Sequence, residues 1–173
     1  MTKTIYMLIF IVVFSSCESK KTNVENVNGA SEKETINTTL DAWHKSASEA
    51  EFDSYFKSMA KASVFIGTDA AEYWVKKDFK VFSKPFFDRG EAWNFKSLER
   101  NVYISSDGKT AWFDELLDTW MGICRGSGVL SKKEDVWKIE HYVLSVTIPN
   151  ENITDVIAIK KEKDSAIVAK LSK

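Results

Sequence analysis

The sequence predicts an α+β fold, with helices first and a curved, mostly antiparallel sheet after them. Three observations carry this. Ile36, Leu40, Trp43 and Ala47 recur at intervals of four, three and four, which is one face of a helix. From Trp93 onward the apolar period becomes two, the spacing of a strand with one buried face. Asp107-Gly108, set between two such stretches, is a strong hairpin signal. Helices segregated from strands in this way pack on one side of an antiparallel sheet.

Residues 1–16 read as a signal peptide. Lys3 supplies a positive start, Ile5 to Phe14 is apolar and uncharged, and Ser15-Ser16 precede Cys17. The apolar run is far shorter than the roughly 20 residues of a membrane-spanning helix. A cysteine directly after small residues resembles the lipobox of bacterial lipoproteins, although Phe14 stands where an aliphatic residue is usual. The resemblance implies lipidation of Cys17 and a place in a bacterial cell envelope, held to a membrane by acyl chains. Processing would leave 157 of 173 residues, enough for one domain with a sizeable core. It removes Lys3, leaving 23 basic against 25 acidic residues, a net charge of −2. So even a balance gives no electrostatic footprint for nucleic acid or for a membrane surface. With Cys17 lipidated, only Cys124 remains. An intrachain disulfide and a four-cysteine zinc site are thereby excluded, and Cys124 is expected to be a small buried apolar residue. No metal or cofactor is expected.

Residues 17–30 are polar and aperiodic, the composition of a flexible tether. Ser31 and Glu34 have capping-box spacing, which predicts a helix start there. Trp43 lies on the buried stripe as core or pocket wall, and His44 falls beside that stripe, where solvent is expected. A second short helix begins near Asp53 and buries Tyr55, Phe56 and Met59. Asp69 and Glu72 again have capping-box spacing, which predicts a third helix burying Ala71, Val75, Phe79, Phe82 and Phe86 and ending at Pro85. Tyr73 and Trp74 flank this stripe at the edge of a cavity.

Taking Asp107-Gly108 as a turn pairs Ile104 with Ala111, Val102 with Phe113 and Arg100 with Glu115, all on one face. A three-residue turn near Met121-Gly122 brings Arg125, Ser127 and Val129 onto the Glu115 face; a two-residue turn brings Cys124 and two glycines there instead. The first is preferred because it sets Val129 beside Phe113. The last strand then turns Trp137, Ile139, His141 and Val143 inward, leaving Tyr142 and Leu144 for a partner subunit or the tail. Residues 152–173 are charged with two apolar clusters, and a helix is expected.

This organisation resembles the SnoaL-like branch of the nuclear transport factor 2 superfamily, a cone of three helices and a curved sheet. The resemblance covers residues 31–151. It rests on Val64-Phe65-Ile66-Gly67-Thr68-Asp69-Ala70-Ala71-Glu72-Tyr73-Trp74, Ala111-Trp112-Phe113-Asp114-Glu115, Cys124-Arg125-Gly126-Ser127-Gly128-Val129-Leu130, Trp137-Lys138-Ile139, Ser145 and Ile148-Pro149-Asn150. The superfamily includes ketosteroid isomerases, polyketide cyclases, epoxide hydrolases and many noncatalytic binders. The isomerases' aspartate dyad and tyrosine find no definite position here, so no catalytic role is carried over.

On this register Arg100, Glu115, Arg125 and His141 converge in an apolar cone with Trp43, Tyr73 and Trp74 near its mouth. A carboxylate between two guanidinium groups is held ionised, which suits binding better than acid catalysis. Three functions follow. The first is a membrane-anchored module binding a small, mainly apolar or amphipathic ligand through Trp43, Tyr73, Trp74, Arg100, Arg125 and Ser127. The second is a cofactor-free isomerase, cyclase or hydrolase using Glu115 and His141. The third is an interaction module forming a homodimer through the outer sheet face. No serine elbow, phosphate loop or dinucleotide fingerprint is present. Ligand binding is the preferred reading, with an ion-pair network internal to the sheet as its structural alternative.

Overall fold

Helix α1 (Val24–Ser48) packs its stripe of Ile36, Leu40, Trp43 and Ala47 against the sheet, each of them at most 1% exposed. Burying Ile36 or Leu40 contributes about 1.5–3 kcal/mol each. The computed structural model describes residues 24–172, with side chains from residue 29 onward. The signal peptide, Cys17 and the start of the tether lie outside the described residues. The helix begins well before Ser31, whose carbonyl accepts from Thr35 Oγ1 at 3.0 Å inside the helix rather than capping it. Glu32 ties α1 to the far end of the sheet by accepting from Lys132 Nζ and Trp137 Nε1, both at 2.8 Å.

A short helix α2 (Phe52–Ser58) leads into strand β1 (Met59–Ile66), a brief β2 (Tyr73–Val75) and helix α3 (Lys76–Asp88). Strands β3 (Lys96–Ile104), β4 (Thr110–Thr119), β5 (Gly122–Lys133) and β6 (Val136–Val146) follow, then helix α4 (Ile153–Leu171). The six strands lie in the order β2-β1-β6-β5-β4-β3, antiparallel except for β1 beside β6. Helices α1 to α3 cover one face. The expected tail helix is α4, none of whose described side chains is buried.

The third helix starts later than its sequence signal. Asp69 and Glu72 do bond as a capping pair would, with Ala71 N on Asp69 Oδ1 at 2.8 Å and Asp69 N on Glu72 Oε2 at 3.2 Å. They close a turn, not a helix, because the next residues are drawn into β2 beside β1. Helix α3 then buries Phe79, Ser83 and Phe87, spaced by four. Pro85 lies inside it and costs one amide donor, and the helix continues past it to Asp88.

The β3–β4 register is the one Asp107-Gly108 predicts, with Arg100 opposite Glu115. The β4–β5 turn is the shorter of the two alternatives. Glu115 faces Gly126, Phe113 faces Gly128 and Leu117 faces Cys124. The preferred three-residue turn is therefore wrong, and Arg125 and Ser127 belong to the outer face. The glycines explain why. A Cβ on Gly126 would stand 2.2 Å from Tyr142 Oη, and one on Gly128 would stand 2.7 Å from the Phe113 ring. The inner face is already filled by long side chains from neighbouring strands.

Strand β6 carries a bulge. Leu130 faces Ile139 while Val129 faces His141, leaving Glu140 as the extra residue. The strand's alternation resets there. Trp137 and Ile139 point inward as expected, but beyond the bulge Tyr142 and Leu144 are buried and His141 lies on the outer face. The surface expected to hold a partner through Tyr142 and Leu144 is thus core.

The β5–β6 turn puts Glu134 and Asp135 at φ +50 and +61, a conformation that suits Asn-Gly better. Replacing Glu134-Asp135 with Asn-Gly is expected to stabilise the fold by about 1 kcal/mol, read as a higher midpoint in urea.

Candidate functional site

Two features lie between the helices and the sheet. The first is a buried polar cluster around Glu115, whose side chain is fully enclosed. Its Oε1 accepts from Tyr142 Oη at 3.0 Å and lies 2.9 Å from His44 Nε2. Its Oε2 accepts from Arg100 Nε at 2.9 Å. Arg100 Nη2 sits 2.8 Å from the same oxygen but off the angle of a hydrogen bond, so that contact is an ion pair only. Arg100 Nη1 reaches outward to Asp41 Oδ1 at 2.7 Å and Asn37 O at 3.3 Å.

Burial pushes the Glu115 carboxyl up, but His44 and the Arg100 guanidinium outweigh it and hold the group below the usual carboxylate range. Glu115 is therefore ionised and accepts only, so His44 Nε2 carries the hydrogen between them. Burial and the neighbouring Glu115 charge push the Tyr142 phenol well above its ordinary range, so it remains a donor.

Of the residues expected to converge, Arg100 and Glu115 meet. Arg125 is exposed on the outer face, Ser127 and His141 are half-buried there, and Tyr73 is 64% exposed on β2. The histidine that meets Glu115 is His44, only 6% exposed rather than solvated. A sequence signal for it exists. Asn37, Asp41 and His44 recur at four and three, a polar stripe beside the apolar one, and all three touch the Arg100–Glu115 pair. Trp43 is core, stacked on Tyr55 at 4.9 Å between ring centroids and edge-on to Tyr142 at the same separation. Cys124 is buried.

The second feature is a cavity of about 320 Å³ with an aromatic wall of Phe65, Trp74, Phe79, Phe82, Trp93 and Phe95. Thr68, Glu72 and Arg89 are its polar members, and Trp120 stands at its edge. Its rings are ordered in parallel pairs: Trp74 on Phe82 at 4.5 Å and Phe65 on Phe79 at 4.3 Å. Trp74 Nε1 is buried with no partner among the described residues. Arg89 lies 4.7 Å over the Phe86 ring at the rim.

The two features are separated by one layer of rings. Phe65 belongs to the cavity wall and stacks on Tyr142 at 5.6 Å, and Phe95 belongs to the wall and meets His44 at 6.3 Å. Glu115 does not reach the cavity surface. On its other side His44 borders a shallow cleft of about 280 Å³ with Lys45, Ser48, Asn94 and Lys96. Among the described residues, no cluster of histidine, cysteine and carboxylates has the arrangement of a metal site, and no helix is long and apolar enough to cross a membrane.

A family model of the SnoaL-like domain matches residues 36–149, more than half of the chain. The chain belongs to the SnoaL-like family. Solved structures similar to this SnoaL-like domain share its fold. An NTF2-like protein of unknown function from Pseudomonas putida KT2440 is 15% identical, with TM-score 0.58, over 72% of this chain and 92% of that one. A putative dehydratase of the NTF2-like family from Streptomyces avermitilis is 11% identical, with TM-score 0.60, over 70% and 99%. A domain of unknown function with a cystatin-like fold from Nostoc punctiforme is 13% identical, with TM-score 0.59, over 82% and 97%. No curated protein matches the sequence. The four helices and curved six-stranded sheet are the NTF2-like cone, with the aromatic cavity between α3 and the sheet.

Proposed function

We propose that this SnoaL-like domain binds a small, mainly apolar ligand in the aromatic cavity while a lipid on Cys17 holds it to a membrane of the bacterial envelope. The observation that carries the reading is the cavity itself: parallel aromatic walls, one buried indole donor at Trp74 and one cation at Arg89. A flat apolar body with an acceptor group and an acidic end satisfies all three. The Glu115 cluster lies behind the wall and supports it. Arginine recognition therefore moves from Arg100 and Arg125 to Arg89.

Native mass spectrometry of the full chain, purified gently from its own host, tests this. A copurified small molecule is expected, and Ala92→Phe, which places a ring in the cavity lining, is expected to lose it with the melting temperature kept. Arg89→Ala is expected to weaken binding of an aromatic sulfonate dye about tenfold, equivalent to roughly 1.4 kcal/mol. An empty chain that takes up nothing from a lipid and steroid panel overturns the reading. The anchor is tested separately: a fatty-acid label that enters the wild type and not Cys17→Ala supports it.

A second reading is favoured by one observation, the cleft beside His44. Cofactor-free acid–base chemistry there would use His44 oriented by Glu115, in place of the Glu115 and His141 pair. The description of the Streptomyces relative as a putative dehydratase accords with such chemistry. A substrate turned over by the wild type and not by His44→Gln, whose amide retains a donor for Glu115, supports it. Equal turnover by both proteins sinks it.

A further inference from the structure

The binding reading uses the cation at the cavity rim and leaves its anion without a role. Glu72 comes just before β2 and borders the cavity together with Gly67, Thr68 and Trp74. The bare backbone of Gly67 makes room for it, since a Cβ there would stand 2.1 Å from Glu72 Oε2. That oxygen accepts from Asp69 N at 3.2 Å. Closing the turn in this way needs only an acceptor oxygen, which a neutral amide would supply as well. The negative charge is surplus to it. Glu72 is half-buried and forms no ion pair among the described residues. Lys160 and Lys163 of α4 border a neighbouring groove that Glu72 also lines, yet neither bonds its carboxylate, and Lys160 is paired with Asp164.

Arg89 stands at the other end of a row of rings. Trp74 stacks on Phe82 at 4.5 Å, Phe82 meets Phe86 at 5.4 Å, and the Arg89 guanidinium lies 4.7 Å over Phe86. Along α3 the rise from Phe82 to Arg89 is about 10 Å. Arg89 also forms no ion pair among the described residues, so the two charges do not neutralise each other. Two opposite charges that face one apolar cavity without meeting are complementary to a ligand that carries both. The ring faces between them favour a cation at the Glu72 end, where Trp74 is two residues away along the chain.

We propose that the cavity selects an elongated zwitterion, with an ammonium group on Glu72, an apolar body along Trp74, Phe82 and Phe86, and an acidic group on Arg89. The inference rests on the binding reading above and narrows its ligand from an acidic apolar molecule to one that bears a basic group at its far end.

The test displaces an aromatic sulfonate dye from the full chain with two matched probes. One is a biphenyl carboxylic acid with an aminomethyl group at the opposite para position; the other carries a methyl group there instead. The aminomethyl acid is expected to displace the dye at about tenfold lower concentration, the effect of one charge-assisted contact. Glu72→Gln, which keeps the oxygen that Asp69 N needs, is expected to abolish that preference, because the ammonium then sheds water for no charged partner. Arg89→Ala is expected to weaken both probes and to keep the preference. Equal displacement by the two probes in the wild type overturns the inference, as does a preference that survives Glu72→Gln; dye binding in either case leaves the binding reading standing. A chain that takes up neither the dye nor either probe removes the binding reading, and the inference with it.

Discussion

Arg100→Met is expected to destabilise the domain by about 3–5 kcal/mol, because it leaves the fully buried Glu115 without its cation. The loss exceeds that of the hydrogen bond itself, since the carboxylate stays enclosed behind Tyr142 and His44. Urea unfolding of Arg100→Met, Glu115→Gln and the double variant measures it. Arg100→Met is expected to cost less in the Glu115→Gln background, where no charge needs compensation, with a coupling of about 0.5–3 kcal/mol. A coupling of zero would show that the two groups act independently.

The same cluster sets a pH dependence. Glu115 is held below the ordinary carboxylate range in the folded state, so the unfolded chain takes up its proton first as pH falls. Its stabilisation is complete above the ordinary carboxylate range and is lost as pH drops through the depressed folded value. In Arg100→Met the cation is gone and burial pushes the carboxyl upward, so the midpoint of acid unfolding is expected to move to higher pH. Stability measured across the acid range reads this directly, and an unmoved midpoint would contradict it.

The second large effect is expected from Gly126→Ala. The added methyl would stand 2.2 Å from Tyr142 Oη and 2.9 Å from Glu115 Cγ, and neither side chain has free space to enter. Overpacking of this kind costs about 1–3 kcal/mol. Displacing Tyr142 also breaks its bond to the carboxylate, which adds roughly 1.5–3 kcal/mol. A total of about 2.5–6 kcal/mol is expected in chemical unfolding. In the Tyr142→Phe background the cost is expected to shrink, because the oxygen that the methyl strikes is absent.

Much of this cone is legible in the order of its residues. The helical stripe on α1, the strand period after Trp93 and the Asp107-Gly108 turn depend on neighbours close in sequence, and local geometry sets them. They suffice to put Arg100 opposite Glu115. Three other features are decided by side-chain packing and strand pairing that the hydrophobic period does not report. The β4–β5 turn takes two residues because Tyr142 and Phe113 occupy the space beside Gly126 and Gly128. The bulge at Glu140 exchanges His141 for Tyr142 on the inner face, and period alone carries no sign of it. Helix α3 begins at Lys76 because β1 recruits Tyr73–Val75 as a strand first.

His44 lies between these cases. Its stripe with Asn37 and Asp41 is written in α1, but a polar stripe reads as solvated until a buried carboxylate is known to face it. The sequence by itself determined the α+β class and the Arg100–Glu115 pair, because both follow from periodicity and one tight turn. Only the tertiary structure decided which histidine and tyrosine complete the cluster, and that the open cavity lies one aromatic layer away from it. The reason is steric: a strand's inner face is chosen by the volume its neighbours leave, and those neighbours include β1 beside β6 and His44 of α1 beside Glu115, both far away in sequence.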